Sequence, residues 1–407
     1  MGVLSTTGAR RAAPAVLLVS AIVSGIGHAS VGPHFLDLHT IVIAPMGLTN
    51  GHLYDSHASA MSAHGAVGHR VFVYPPFAAV LLYPWHWFPM WLVETLWFVA
   101  EVAATYGVVR LTQKLLRNGD AGSALLWTAA ALWFDPISNA ISLGQVGIFL
   151  TFAVLYGAYV KSDAVAGILV GIATGIKLTP GVTWLYLAGQ RRFAALATSI
   201  AVFAATIGFA FVAFPDAAFR YFKTLFGDAT VMPYAQAINQ SWLGALTRIA
   251  GHHVGGSALH AGVLIGTGVL AVFAWHAVDD TLGRLLVVQI FGLLVSPISW
   301  THHWVWLLPL VMWLLRGPVR RRGAAPYLGW GWIVLMVLNI PNGLEMLQAN
   351  MYQVSRPWYQ AWAGAIYVVA AVGTLGWIAV SGRPLTPFRS RDVAAEPVRP
   401  PVDVTQP

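Results

Sequence analysis

Apolar stretches recur along almost the whole 407-residue chain, many of them near the length of about 20 residues that crosses a hydrocarbon core of about 30 Å. In lipid the backbone of each segment must satisfy its own hydrogen bonds, which leaves helices or closed barrels as the spanning forms. A barrel would show segments of about 10 residues alternating polar and apolar, and none occurs. The pattern predicts an all-α, polytopic transmembrane helical bundle of about 10–12 spans, some re-entrant or broken.

Arg10 and Arg11 precede a first span at about Ala12 to Val31, whose beginning resembles a signal-peptide core but lacks a small-residue cleavage site. A His-rich segment from Gly32 to Arg70 follows, then Phe72 to Pro89, broken by Pro75, Pro76, Pro84 and Pro89 and read as a hairpin or re-entrant element. Further spans are predicted at Met90 to Val109, Ala121 to Trp133, Ile141 to Val160 and Phe193 to Phe214. Between the last two, Asp163 to Ala188 is interrupted by Lys177 and Pro180 and fits two half-helices. Pro215 to Ser241 reads as a loop, and the remaining spans as Val254 to Val278, Leu282 to Val295, His303 to Leu315, Tyr327 to Ile340 and Trp358 to Val380. Residues 1–382 form one membrane domain in this reading, and 383–407, rich in Pro and Arg, a disordered cytoplasmic tail.

Composition agrees. Only 9% of residues are charged and 57% are hydrophobic, against roughly 25% charged in a soluble domain. The net charge of +8 does not signal nucleic-acid binding, because the cations sit at helix ends rather than along one face. All but six of the 23 Lys and Arg fall on the side that also holds the N-terminus; the six are Arg70, Lys177, Arg220, Lys223, Arg248 and Arg356. That asymmetry places the N-terminus in the cytoplasm of a cell-membrane protein. Without cysteine there is no disulfide, thiolate nucleophile or Cys-based metal site.

Candidate chemistry gathers on the cation-poor side. Asp37, in Phe35-Leu36-Asp37-Leu38-His39, suits either a general base at the membrane surface or a helix cap. Tyr74, in Val73-Tyr74-Pro75-Pro76, belongs to a cavity lining or to an aromatic belt. Gln145, in Gly144-Gln145-Val146-Gly147, can hold a sugar hydroxyl or join two helices. Lys177, in Ile176-Lys177-Leu178-Thr179-Pro180, is a cation within an apolar stretch, which points to an anion at a broken helix unless the side chain snorkels. Ser296-Pro297-Ile298-Ser299-Trp300-Thr301-His302-His303 offers imidazoles for a phosphate and indole for a sugar ring or an apolar chain. Asn239 and Arg248 mark a polar cluster at Asn239-Gln240-Ser241-Trp242. Imidazoles at Ser296 to Trp304 could in principle hold a metal, but neither a second carboxylate-rich motif nor His-Glu-x-x-His spacing completes such a site, and His52, His57, His64 and His69 read as solvated rather than as a metal tract.

The order of these motifs resembles the GT-C superfamily of polytopic glycosyltransferases, specifically the polyprenol-phosphate-mannose-dependent α-(1→2)-mannosyltransferases of glycosyltransferase family 87, over about Phe35 to Trp304. The resemblance implies a polyprenyl-phosphate-mannose donor, a glycolipid acceptor of the phosphatidylinositol mannoside or lipomannan type, and inverting transfer at the outer membrane face. It further implies Asp37 as base, with Lys177, His302, His303, Gln145, Tyr74, Asn239, Arg248 and His39 around the substrates, and no metal or cofactor. Family members often continue Asp-Leu-x-Val-Tyr, whereas here His39 is followed by Thr40 and Ile41, a departure that bears on the acceptor. A related enzyme moving another sugar, or a lipid or sugar transporter, is the alternative; transporters commonly carry paired repeats, and no second broken segment matches Lys177.

Overall fold

The computed structural model describes residues 7–30, 35–55, 71–226 and 233–381; the predicted tail, His57, His64, His69 and Arg70 lie outside these. Among the described residues the regular structure is helical, with one isolated antiparallel bridge between Asn239 and Trp300.

Five helices are long and apolar enough to cross a membrane, lying within Gly8–His28, Met90–Leu116, Phe193–Ala213, Ala258–His276 and Ala325–Glu345. Shorter apolar helices, among them Gly147–Tyr159, Asp163–Ile176, Thr281–Val295 and Ile366–Ser381, pack between them. The long helices turn much of their apolar surface outward: the Ala258–His276 segment has a mean hydropathy of 1.8, yet only 11% of it is buried. A water-soluble protein would pay for such a surface in aggregation, whereas lipid accepts it. The chain is a multi-pass membrane protein.

The helix Leu307–Arg316 lies at the centre, with every residue from Leu307 to Leu315 buried, as a helix apolar on all sides requires. Trp304, Trp332 and Tyr367 pack beside it with ring centroids 5.6–6.3 Å apart. The indole of Trp313 donates to Asp280 at 3.1 Å and that of Trp332 to Thr374 at 2.9 Å, so these large side chains bury area without leaving a polar atom unmet.

Asp163–Ile176 and Phe193–Ala213 run in close contact because Gly167, Gly171 and Gly175 repeat at every fourth position. A Cβ on Gly167 or Gly171 would stand 2.6 or 2.7 Å from the carbonyl oxygens of Ala195 and Ser199. Small residues at this spacing let membrane helices approach to backbone contact.

Several cationic ends are tied together. Arg10 pairs with Asp120 at 3.1 Å, Asn118 donates to the carbonyl of Arg316 at 3.1 Å, and Arg192 pairs with Asp163 at 2.7 Å. Lys177 ends the helix that Asp163 begins, 14 residues away, or about 21 Å along the axis. The candidate site and the cationic ends therefore lie toward opposite ends of the bundle.

Four predicted elements differ in detail. Ile141 to Val160 is not one span: Asp135–Leu143 and Gly147–Tyr159 are separate helices, divided where Gly144 takes φ +72°. Pro215–Phe226, read as loop, is a helix following directly on Phe193–Ala213, with Phe219 exposed and Arg220 paired to Asp55; its mix of aromatic and charged positions suits an interfacial helix. The chain from Thr301 to Trp306 is 3₁₀ before Leu307–Arg316 begins, so that span starts late. Trp358 to Val380 divides into Trp358–Ala363 and Ile366–Ser381. Phe72 to Pro89 holds only the seven-residue helix Pro76–Leu82 and a 3₁₀ segment, about 10 Å of helix, too short to cross a membrane.

Replacing Gly171 by Ala is predicted to lower stability by about 1–3 kcal/mol through overpacking. Gly208→Ala, on the partner helix where an added Cβ meets nothing within 4 Å, is predicted to have no such effect. Thermal unfolding of both variants in detergent is the measurement.

Candidate active site

The site starts at a tight turn. Phe35 adopts a left-handed φ of 54° and its N–H donates to the carbonyl of Ser142 at 2.7 Å, so the helix Leu36–Ile43 begins against the end of Asp135–Leu143. Asp37 stands in the first turn, where the helix dipole favours a carboxylate. Leu38 is fully buried against Gly144; a Cβ there would lie 2.4 Å from that of Leu38, so glycine serves both the positive φ and the close approach.

Gln145, 3% exposed, joins three elements. Its Nε2 donates to Asp37 Oδ2 at 2.5 Å. Its Oε1 accepts from Tyr74 Oη at 2.8 Å and lies 3.4 Å from Lys177 Nζ. A carboxamide can take this position because it carries donors and an acceptor on one rigid group. Tyr74 is fixed in turn: its carbonyl accepts from Tyr54 Oη at 2.9 Å, and Pro75 and Pro76 set the extended entry to Pro76–Leu82.

Lys177 does not snorkel. Its backbone is extended where Asp163–Ile176 ends, and Nζ lies 2.9 Å from His303 Nε2 and 5.4 Å from the centre of the Tyr74 ring. His302 and His303 are perpendicular to each other, with centroids 4.6 Å apart, and Trp300 flanks both at 5.7 and 5.8 Å. A cavity of about 300 Å³ opens beside this group. Lys177, His303, Thr151, Thr179, Gln289, Ser296 and Ser299 supply its polar lining, and Leu150, Val154, Leu293 and Trp306 much of its apolar wall. It can take a ligand that is anionic at one end and hydrocarbon at the other.

Asp37, Tyr74, Gln145, Lys177 and His303 thus form one connected network, with His302 against it. Asn239 and Arg248 lie behind it. Asn239 receives the N–H of Ser299 at 2.9 Å and donates to the carbonyl of Pro297 at 3.2 Å, holding the segment that presents the two histidines. Arg248, 1% exposed, donates to the carbonyls of Gln236, Asn239 and Gly364 at 2.6–2.8 Å. His39 pairs with Glu94 at 2.6 Å. Among the described residues no group of three or more His, Cys, Asp or Glu is arranged to hold a metal ion, and His52 is paired with Asp55.

Sequence reading missed Glu94 and also Glu101, a fully buried carboxyl group on Met90–Leu116, one turn from Trp97. A Glu within an apolar span was the available signal, since ionisable residues at membrane depth mark functional positions.

Arg248→Met is predicted to cost about 3 kcal/mol or more, because buried carbonyls lose their donors. Arg248→Lys is predicted to recover little of this, since one ammonium cannot reproduce the fork. Thermal unfolding separates this structural role from a loss confined to substrate binding.

The sequence profile of glycosyltransferase family 87 matches residues 72–297. The chain is 46% identical, over 90% of its length and 86% of the relative's, to a polyprenol-phosphate-mannose-dependent α-(1-2)-phosphatidylinositol pentamannoside mannosyltransferase of Mycobacterium tuberculosis. It is 44% identical to the protein of that description in Mycolicibacterium smegmatis, over 91% and 92% of the two chains. A phosphatidylinositol mannoside mannosyltransferase of M. tuberculosis is 32% identical over 78% of this chain and 79% of its own. No solved structure matches.

Proposed function

The chain belongs to glycosyltransferase family 87, and from that premise we propose that it transfers mannose from a polyprenyl-phosphate mannose to a phosphatidylinositol mannoside, with inversion. The observation that carries this reading is the Gln145 carboxamide, bonded to a carboxylate at one end and beside a buried ammonium at the other. Base and phosphate partner are held in one network.

In the proposed reaction an acceptor hydroxyl approaches the anomeric carbon from the side of Asp37. The carboxylate takes the hydroxyl proton as the new glycosidic bond forms. The bond from the anomeric carbon to the phosphate oxygen breaks, and its electron pair leaves with polyprenyl phosphate. Lys177 and His303 are poised to meet the charge that grows on that oxygen, where the poorly hydrated site strengthens electrostatic stabilisation. The apolar wall of the neighbouring cavity suits the first part of the prenyl chain.

This reading places the chemistry at the extracytoplasmic face. It is supported by the charge asymmetry of the sequence and by the separation of Lys177 from the Asp163–Arg192 end.

Asp37→Asn is predicted to lower turnover by about 10²–10⁴ with polyprenyl-phosphomannose and phosphatidylinositol pentamannoside, at unchanged thermal stability; undiminished turnover would exclude Asp37 as the base. Lys177→Met is predicted to lower kcat by about 10²–10³. An effect on acceptor KM alone would remove Lys177 from the phosphate.

A further inference from the structure

A second polar assembly adjoins the network on the side away from Lys177. Asp135, 2% exposed, accepts from Tyr367 Oη at 3.0 Å and from Asn342 Nδ2 at 2.5 Å. Asn139 turns its amide N–H groups inward, to Thr301 Oγ1 at 2.7 Å and Asn342 Oδ1 at 3.4 Å. Thr301 immediately precedes His302, and Asn139 is on the helix that ends beside Gln145.

The outward side of this assembly is open. Ser138, Asn139, Ser142 and Asn342 are all partly exposed. With both Asn139 bonds made by its nitrogen, Oδ1 keeps acceptor capacity. The Ser142 hydroxyl bonds only locally, to the carbonyl of Asn139 at 3.1 Å, and so keeps acceptor capacity. Ser138 and Ser142 stand four residues apart and share a helix face. From Ser138 to the helix end at Leu143 is five residues, about 7.5 Å of rise, and Gln145 follows at the turn.

Buried polar groups that only join helices close on one another, as Trp332 does with Thr374 at 2.9 Å in the core. Here one side is pinned, by Asp135 and Thr301, and the other presents uncharged hydroxyl and amide groups in fixed orientation. That is the chemistry of a surface that reads sugar hydroxyls, since it offers donors and acceptors without a charge to desolvate.

We propose that the track formed by Ser138, Asn139, Ser142 and Asn342 is the acceptor-glycan subsite, holding the sugar units that precede the one bearing the reactive hydroxyl. This rests on the glycosyl-transfer reading above and assigns the part of the acceptor that the reaction centre does not touch.

The test compares a long acceptor, phosphatidylinositol pentamannoside, with a short one, an alkyl α-mannoside, using polyprenyl-phosphomannose throughout. Ser138→Ala and Asn139→Ala are made singly and together, with Ser138→Leu as a steric block that removes none of the hydrogen bonds described above. The ratio of kcat/KM for the long acceptor over the short one is expected to fall about tenfold in each variant through lost hydrogen bonds or blocked access, mainly through acceptor KM. A ratio unchanged in Ser138→Leu and in the double variant overturns the subsite. Equal losses on both acceptors also overturn it, because they mark a general structural effect, which thermal unfolding checks. If the unaltered protein transfers mannose to neither acceptor, the underlying reaction assignment fails, a result distinct from failure of the track.

Discussion

Main-chain polar groups cannot be left open to hydrocarbon, and three departures from regular helix in this chain meet at one place. The chain leaves helical geometry at Gly144 to Val146, at Lys177 to Val182 and at Ser296 to Trp306. Each break needs neighbours that bond its freed groups and tolerate irregular backbone, so the breaks are stable together where they would not be apart. Their assembly concentrates Gln145, Lys177 and His303 beside a cavity, while the uninterrupted helices remain as lipid-facing support.

The support is not passive. The glycine repeat at 167, 171 and 175 brings Asp163–Ile176 against Phe193–Ala213, and this close seam carries Lys177 at its end. On the other side, Asn239 and Arg248 are bound to main-chain carbonyls and to the 297–300 segment. They act on the site through the position of His302 and His303. Polar residues near a reaction centre thus divide into those that can meet a substrate and those that hold the backbone, and composition does not separate the two.

Some of the site was legible in advance for a specific reason. Lys177 stood out because an ammonium within an apolar stretch is costly, and Asp37 because a lone carboxylate followed the first span. Glu101 carried the same kind of signal and was passed over. His39 stood in the Asp37 motif, and no local pattern shows that its ring also reaches Glu94, 55 residues away. Ser138, Ser142 and Asn342 carried no motif, since scattered Ser and Asn suit many environments.

By itself the sequence determined the solvent, the helical form and the break at Lys177 and Pro180. Those follow from local hydropathy and from the cost of charge in lipid, which are properties of neighbouring residues. Only the tertiary structure decided that Gln145 would reach Asp37 across 108 residues and that Lys177 would reach His303 across 126. It also decided that Arg248 would donate to three main-chain carbonyls. Such choices depend on how helices rotate and pack against each other, and no periodicity within a single segment records that.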